Sequence, residues 1–103
     1  MSEAKFYVGQ IIHHTKFSYR GVIFGVDAPY QHTNEWYAEM ATSNPPKDKP
    51  WYHVLVDQAG HMTYVAEQNI EQSTDTGQIE HPMLGLYFSN YNGKSYGLRK
   101  KKN

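Results

Sequence analysis

A chain of 103 residues amounts to one domain, since domains typically run from about 50 to 250 residues and one of this size buries only about 60 to 70% of its unfolded surface. Ten Lys and Arg balance ten Asp and Glu, but four of the positives form the run Arg99-Lys100-Lys101-Lys102, so residues 1–98 carry six positives against all ten acids, a net of minus four. With no cysteine, a disulfide framework, a zinc ribbon and thiol catalysis are excluded; with no secretory apolar segment near the start and no apolar run near the roughly 20 residues of a membrane span, a soluble cytoplasmic protein is expected.

Turn residues and β-branched or aromatic stretches alternate too quickly for long helices. Residues 6–14 read as a first strand, Lys16-Phe17-Ser18 as a turn, and 19–26, ending at Asp27, as a second strand. Within it Gly21-Val22-Ile23-Phe24-Gly25-Val26 has the character of a buried strand whose two glycines permit a bend or bulge. Residues 28–49 are the longest stretch without strand character. Their centre, 34–41, predicts about two helical turns with Trp36 and Met40 on one side, stopped by Pro45-Pro46. The clearest hairpin follows: strand 51–56, turn Asp57-Gln58-Ala59-Gly60, returning strand 61–66. Residues 67–78 read as a polar loop, 79–88 as an apolar segment packing across a barrel, and 91–96 as a last turn before the basic tail 99–103.

Four or five short curved strands are too few for a two-sheet sandwich. They predict an all-β fold, a small partly open SH3-like β-barrel of about five strands with a short helix in the long connection after the second strand. Residues 1–98 form the expected domain and 99–103 a basic flexible tail.

Motifs for chemistry are weak. His13 and His14 are adjacent on a strand and point to opposite faces, while His32, His53, His61 and His81 are scattered, so neither a metal nor any other cofactor is expected. Gly93-Lys94-Ser95-Tyr96-Gly97 matches the spacing of a hydrolase nucleophile elbow, but only 98–103 follow, with no Asp or His to complete a triad. The same Gly-Lys-Ser is not a phosphate-binding loop, because Phe88 stands where that loop needs glycine. No paired carboxylates stand out, and an enzyme is not expected.

Aromatic residues are the better candidates. Trp36, Tyr37, Trp51, Tyr52, Tyr64 and Tyr87 either include a peptide-binding or base-stacking platform or belong to the core. The candidate recognition face is Trp36, Trp51, Tyr52, His53 and Glu67. A nucleic-acid contact would draw on Lys16, Arg20 and Lys94, assisted by Arg99, Lys100, Lys101 and Lys102, each adding salt-dependent affinity without base reading; the terminal run reads equally as a solvated end.

Gly9-Gln10 with His14, Tyr19-Arg20-Gly21-Val22-Ile23 with Asp27, Trp36, Pro50-Trp51-Tyr52-His53-Val54-Leu55-Val56, Tyr64-Val65-Ala66-Glu67 with Asn69, and His81-Pro82 with Tyr87-Phe88 stand together in one order. In this the chain resembles the YccV-like family over residues 5–96. That family includes the heat shock protein HspQ, also described as a hemimethylated DNA-binding protein, and domains of certain F-box proteins and of a plastid protease adaptor. The segment 81–88 is closer to the F-box-associated branch. The resemblance implies a small non-enzymatic β-barrel linked to the stress response and regulated proteolysis, with an ATP-dependent protease and its substrates as partners, or to duplex DNA methylated on one strand. Duplex binding draws on cationic contacts, and the acidic body therefore favours the protein-binding role, with recognition of hemimethylated DNA as the alternative. No membrane partner is implied, and a free edge strand offers a route to a homo-oligomer.

Overall fold

The computed structural model describes residues 3–27, 29–41 and 45–99. Its elements follow as β1 (Ile11–His14), β2 (Arg20–Asp27), α1 (Asn34–Met40), β3 (Trp51–Val56), β4 (Met62–Ala66), a 3₁₀ turn (Glu67–Asn69), β5 (Ile70–Gln72), α2 (Leu84–Tyr87), β6 (Phe88–Tyr91) and β7 (Tyr96–Leu98). The first five strands form one antiparallel sheet in the order β4-β3-β2-β1-β5, and β6 and β7 form a separate hairpin. The all-β class and the short helix after the second strand are as expected. The sheet does not close: β4 and β5 follow each other through the 3₁₀ turn without pairing, and each remains an edge.

Alternation along the strands explains how so small a chain fills a core. On β3, Tyr52 and Val54 face one side with Ile12, Ile23, Val65 and Ile70, packed on by Phe6 and Tyr19. Trp51 and Leu55 face the other side. There Leu55 joins Ile11 and Val22 beneath Ile79, Phe88 and Tyr96, while Trp51 joins Ala41 and Ala66 beneath Tyr30, Trp36 and Tyr37. Both faces of the central strands are thus covered, one by the sheet's own curl and the other by α1 and the C-terminal segment. The register slips between Ile23 and Gly25, placing a bulge in the strand where the glycines permit one.

Three regions differ from the sequence-based expectation, among them residues 79–98, read as an apolar segment and a last turn, which form α2 and the paired strands β6 and β7. The first strand begins at Ile11, because the chain turns at Gly9, whose φ of +95° is open to glycine but not to a β-carbon. The 67–78 segment contains β5, which pairs Ile12, His13 and His14 with Gln72, Glu71 and Ile70. The helix forms where predicted, with the Thr33 side chain accepting the Trp36 N–H as N-cap. At the other end of the chain, the Asn92 carboxamide accepts the N–H groups of Lys94 and Ser95 and sets the β6–β7 turn.

Candidate functional site: a groove along the free edge of strand β4

A groove of about 380 Å³ runs along β4, and all five residues of that strand line it. One wall is the β1–β2 turn, with His14, Lys16, Phe17 and Tyr19; the other is α1 and its connection, with His32, Trp36, Met40, Ala41 and Pro45. Because the side chains of a strand alternate, Tyr64 and Ala66 face the α1 wall with Trp51, and Thr63 faces the turn, where its hydroxyl meets that of Tyr19 at 2.7 Å. Phe17, Met40 and Met62 are 72%, 62% and 47% exposed, and all three border this one groove.

The edge itself has a fixed polarity. The Glu67 N–H donates to the Pro50 carbonyl and the Val56 N–H to the His61 carbonyl. With the register Trp51↔Ala66, His53↔Tyr64 and Leu55↔Met62, these bonds make Met62, Tyr64 and Ala66 the members of the non-hydrogen-bonded pairs, whose own N–H and C=O groups point away from β3. No strand of the described residues pairs with that side.

The turn wall is organised by His14, which is 3% exposed. Its Nδ1 accepts the N–H groups of Lys16 (3.2 Å) and Phe17 (3.1 Å), and its ring stacks between Phe17 and Tyr19. Burial, with Lys16 and His13 adding to it, holds its pKa below the ordinary histidine value. The ring is therefore a neutral acceptor at pH 7, with its proton on Nε2. On the α1 wall, Trp36 stacks on His32 with ring centres 5.1 Å apart, and Tyr64 lies on Trp51 at 5.3 Å. Asp27 Oδ2 accepts from the Tyr64 hydroxyl (2.8 Å) and pairs with His53 Nε2 (2.9 Å), and the Tyr64 oxygen accepts the Gln31 N–H. Burial and the hydrogen-bonded Asp27 both raise the pKa of Tyr64, so its hydroxyl stays protonated and donating.

Of the recognition-face candidates, the structure brings Trp36 and His53 to the groove. Trp51 and Tyr52 are core residues, 1% and 0% exposed, because β3 lies between β2 and β4 with both faces covered; Trp51 contributes only the floor beneath Tyr64. Glu67 is an internal latch: its Oε2 accepts from the Tyr52 hydroxyl (2.6 Å) and from the Lys5 N–H (3.0 Å). Tyr52, desolvated and held by that carboxylate, has its pKa raised above the tyrosine value. Among the cations, Lys16 lines the groove and Lys94 is exposed in the β6–β7 turn. Arg20 is partly buried, its side chain 18% exposed. Its guanidinium donates to Asp57 Oδ2 (2.8 Å) and to the carbonyls of Asp75, Gly77 and Gln78, a clamp that seats the 75–78 loop beside the sheet. Arg99 is tied back to α2, its N–H to the Tyr87 carbonyl and its Nη1 to that of Gly85; Lys100, Lys101 and Lys102 lie outside the described residues. The sequence reading missed Phe17 and Met62 as groove residues. Their signal was a large apolar side chain in a turn and another at the solvent end of a strand.

No group of three His, Asp or Glu side chains among the described residues is placed to hold a metal ion, and no helix of the described residues is long and apolar enough to cross a membrane. The chain is 34% identical over 91 residues to F-box only protein 21 of Pongo abelii and of Homo sapiens, and 33% identical to that of Mus musculus; each match covers 86% of this chain and 14% of the relative. The chain thus spans about a seventh of the length of these relatives. The family model described as hemimethylated DNA-binding protein YccV like matches residues 4–95. Carrying that match over nearly its whole length, the chain belongs to the YccV-like family, a family of binding domains rather than of enzymes.

Proposed function

We propose that this chain is a non-enzymatic recognition module of the HspQ type that binds a protein partner in the β4 groove and so modulates the turnover of unfolded or regulatory proteins by an ATP-dependent protease. The observation that carries the proposal is the convergence of Phe17, Met40 and Met62, three exposed apolar side chains, on one groove beside an unpaired strand edge. Exposed apolar surface gathered in one place marks an interaction site, and such a site needs no catalytic group. A cytoplasmic setting fits this role. The test adds the purified chain to purified ATP-dependent proteases with a labelled unfolded substrate. We expect the decay rate to change at least about twofold, a difference of about 0.4 kcal/mol in barrier, and Met40→Asp to remove the effect; unchanged decay across the proteases would refute the reading.

A second reading, recognition of hemimethylated duplex DNA, is favoured by the description of the family itself. It would rest on Lys16 and Lys94, assisted by residues 99–103, since Arg20 is committed to the 75–78 loop. Titration with hemimethylated, fully methylated and unmethylated duplexes across a salt series, with and without 99–103, separates the two. Methylation-dependent binding by the body supports the DNA reading; equal binding that vanishes with the tail reduces it to generic electrostatics.

A further inference from the structure

Resting on the protein-binding reading, we infer that the groove takes its partner as an extended strand added to the free edge of β4, and that the strand it takes alternates apolar with acidic residues. Three features combine. The outward N–H and C=O groups of Met62, Tyr64 and Ala66 recur at every second residue, the spacing at which an added antiparallel or parallel strand exchanges main-chain hydrogen bonds. The groove lies over the edge rather than over one face, since Thr63 and Val65 on one side of β4 and Tyr64 and Ala66 on the other all line it. A strand laid there sends alternate side chains to the two walls.

The walls differ in chemistry. On the α1 side stand Trp36, Met40, Ala41 and Pro45, an apolar and aromatic surface. On the turn side stands Lys16, the one Lys or Arg of the lining among the described residues, with His14 and Asn69 beside it. Among the described residues no Asp or Glu lines the groove, although residues 1–98 carry a net charge of minus four. Apolar side chains directed at Trp36 and Met40 and carboxylates directed at Lys16 complement the two walls. A basic strand would leave the apolar wall served but meet Lys16 with like charge.

The probe is a fluorescent peptide of about eight residues alternating valine or leucine with aspartate, compared with its lysine-for-aspartate counterpart and with the same acidic peptide N-methylated at alternate backbone nitrogens. By polarisation at low salt, the acidic peptide is expected to bind with a Kd of about 10 to 100 μM. The lysine form and one of the two alternating N-methylation patterns are each expected to bind at least about tenfold more weakly. On the protein, Met62→Pro removes an outward N–H without touching a β3–β4 hydrogen bond, and is expected to weaken the acidic peptide while Met62→Ala weakens it less. The N-methylated peptides test the same point with the protein unaltered, so a poorly folding proline variant leaves the inference exposed to refutation. Equal binding of the N-methylated and parent peptides overturns strand addition, and equal binding of acidic and basic peptides overturns the charge preference, while both leave the groove as a protein site. No binding by any peptide up to about 1 mM overturns the inference; if Met40→Asp is also silent in the protease assay, the functional reading falls with it. A dimer abolished by Met62→Pro, in place of peptide binding, would assign the edge to a second copy and overturn the inference.

Discussion

Replacing His14 with phenylalanine keeps a flat ring between Phe17 and Tyr19, whose centres lie 4.8 and 5.0 Å from that of His14, but deletes the acceptor that holds the N–H groups of Lys16 and Phe17. Each lost hydrogen bond in a partly buried turn costs about 0.5 to 1.5 kcal/mol, so the variant is expected to be about 1 to 3 kcal/mol less stable at pH 7, a fall in Tm on the order of 10 °C for a domain of this size. The pH dependence follows from the direction of the shift. The folded pKa lies below 6.5, so as pH falls through 6.5 the unfolded chain binds the proton first, and the stability contributed by neutral His14 declines toward the lower, folded pKa. Phenylalanine has no such contribution to lose. The stability gap between wild type and His14→Phe should therefore narrow as pH falls from 7 to 5. Urea unfolding followed by tryptophan fluorescence at several pH values measures it. A gap that stays constant or widens over that range, or a variant as stable as wild type at pH 7, would show that the ring does not hold the turn as a neutral acceptor.

Arg20→Met should cost about 3 to 5 kcal/mol, because it strips a partner from the largely buried Asp57 carboxylate, 10% exposed, and frees the 75–78 loop; urea unfolding with hydrogen exchange at 75–80 reads both effects. Gly9→Ala should destabilise by at least about 2 kcal/mol, since a β-carbon there would sit 2.0 Å from the Tyr96 carbonyl oxygen at a φ of +95°; thermal unfolding within experimental error of wild type would refute the close approach. Tyr64→Phe removes the hydroxyl shared by Asp27 and Gln31 and should cost about 1 to 2 kcal/mol, measured by urea unfolding. A variant as stable as wild type would show that the hydroxyl does not tie Asp27 to the Gln31 backbone.

The hairpin β3–β4 was legible in the sequence because its information is local: β-branched and aromatic residues on either side of a Gly-containing turn. The helix was legible for the same reason, with Pro45-Pro46 after it to stop it. Ile70-Glu71-Gln72 carries one apolar residue in three, and becomes β5 only because β1 offers it a partner. Trp36 and Met40 were legible as neighbours four apart on a helix. That β4 is an edge was not, since strand order is a non-local property. The role of Arg20 was hidden likewise: its partners lie 37 to 58 residues away in the chain, so a cation that reads as a free surface charge in sequence is engaged within its own fold.

The two walls of the groove also bear on what can reach the β4 edge. An exposed, flat strand edge templates indefinite sheet growth, and proteins with such an edge tend toward aggregation. Here the β1–β2 turn and α1 stand on either side of β4, so the edge lies at the bottom of a slot. A single extended segment fits the slot, whereas the rim of another folded sheet, carrying its own neighbouring strands and loops, meets the walls first. The same architecture that leaves β4 unpaired therefore acts as a steric filter, discriminating between a lone chain and an assembled sheet by width alone.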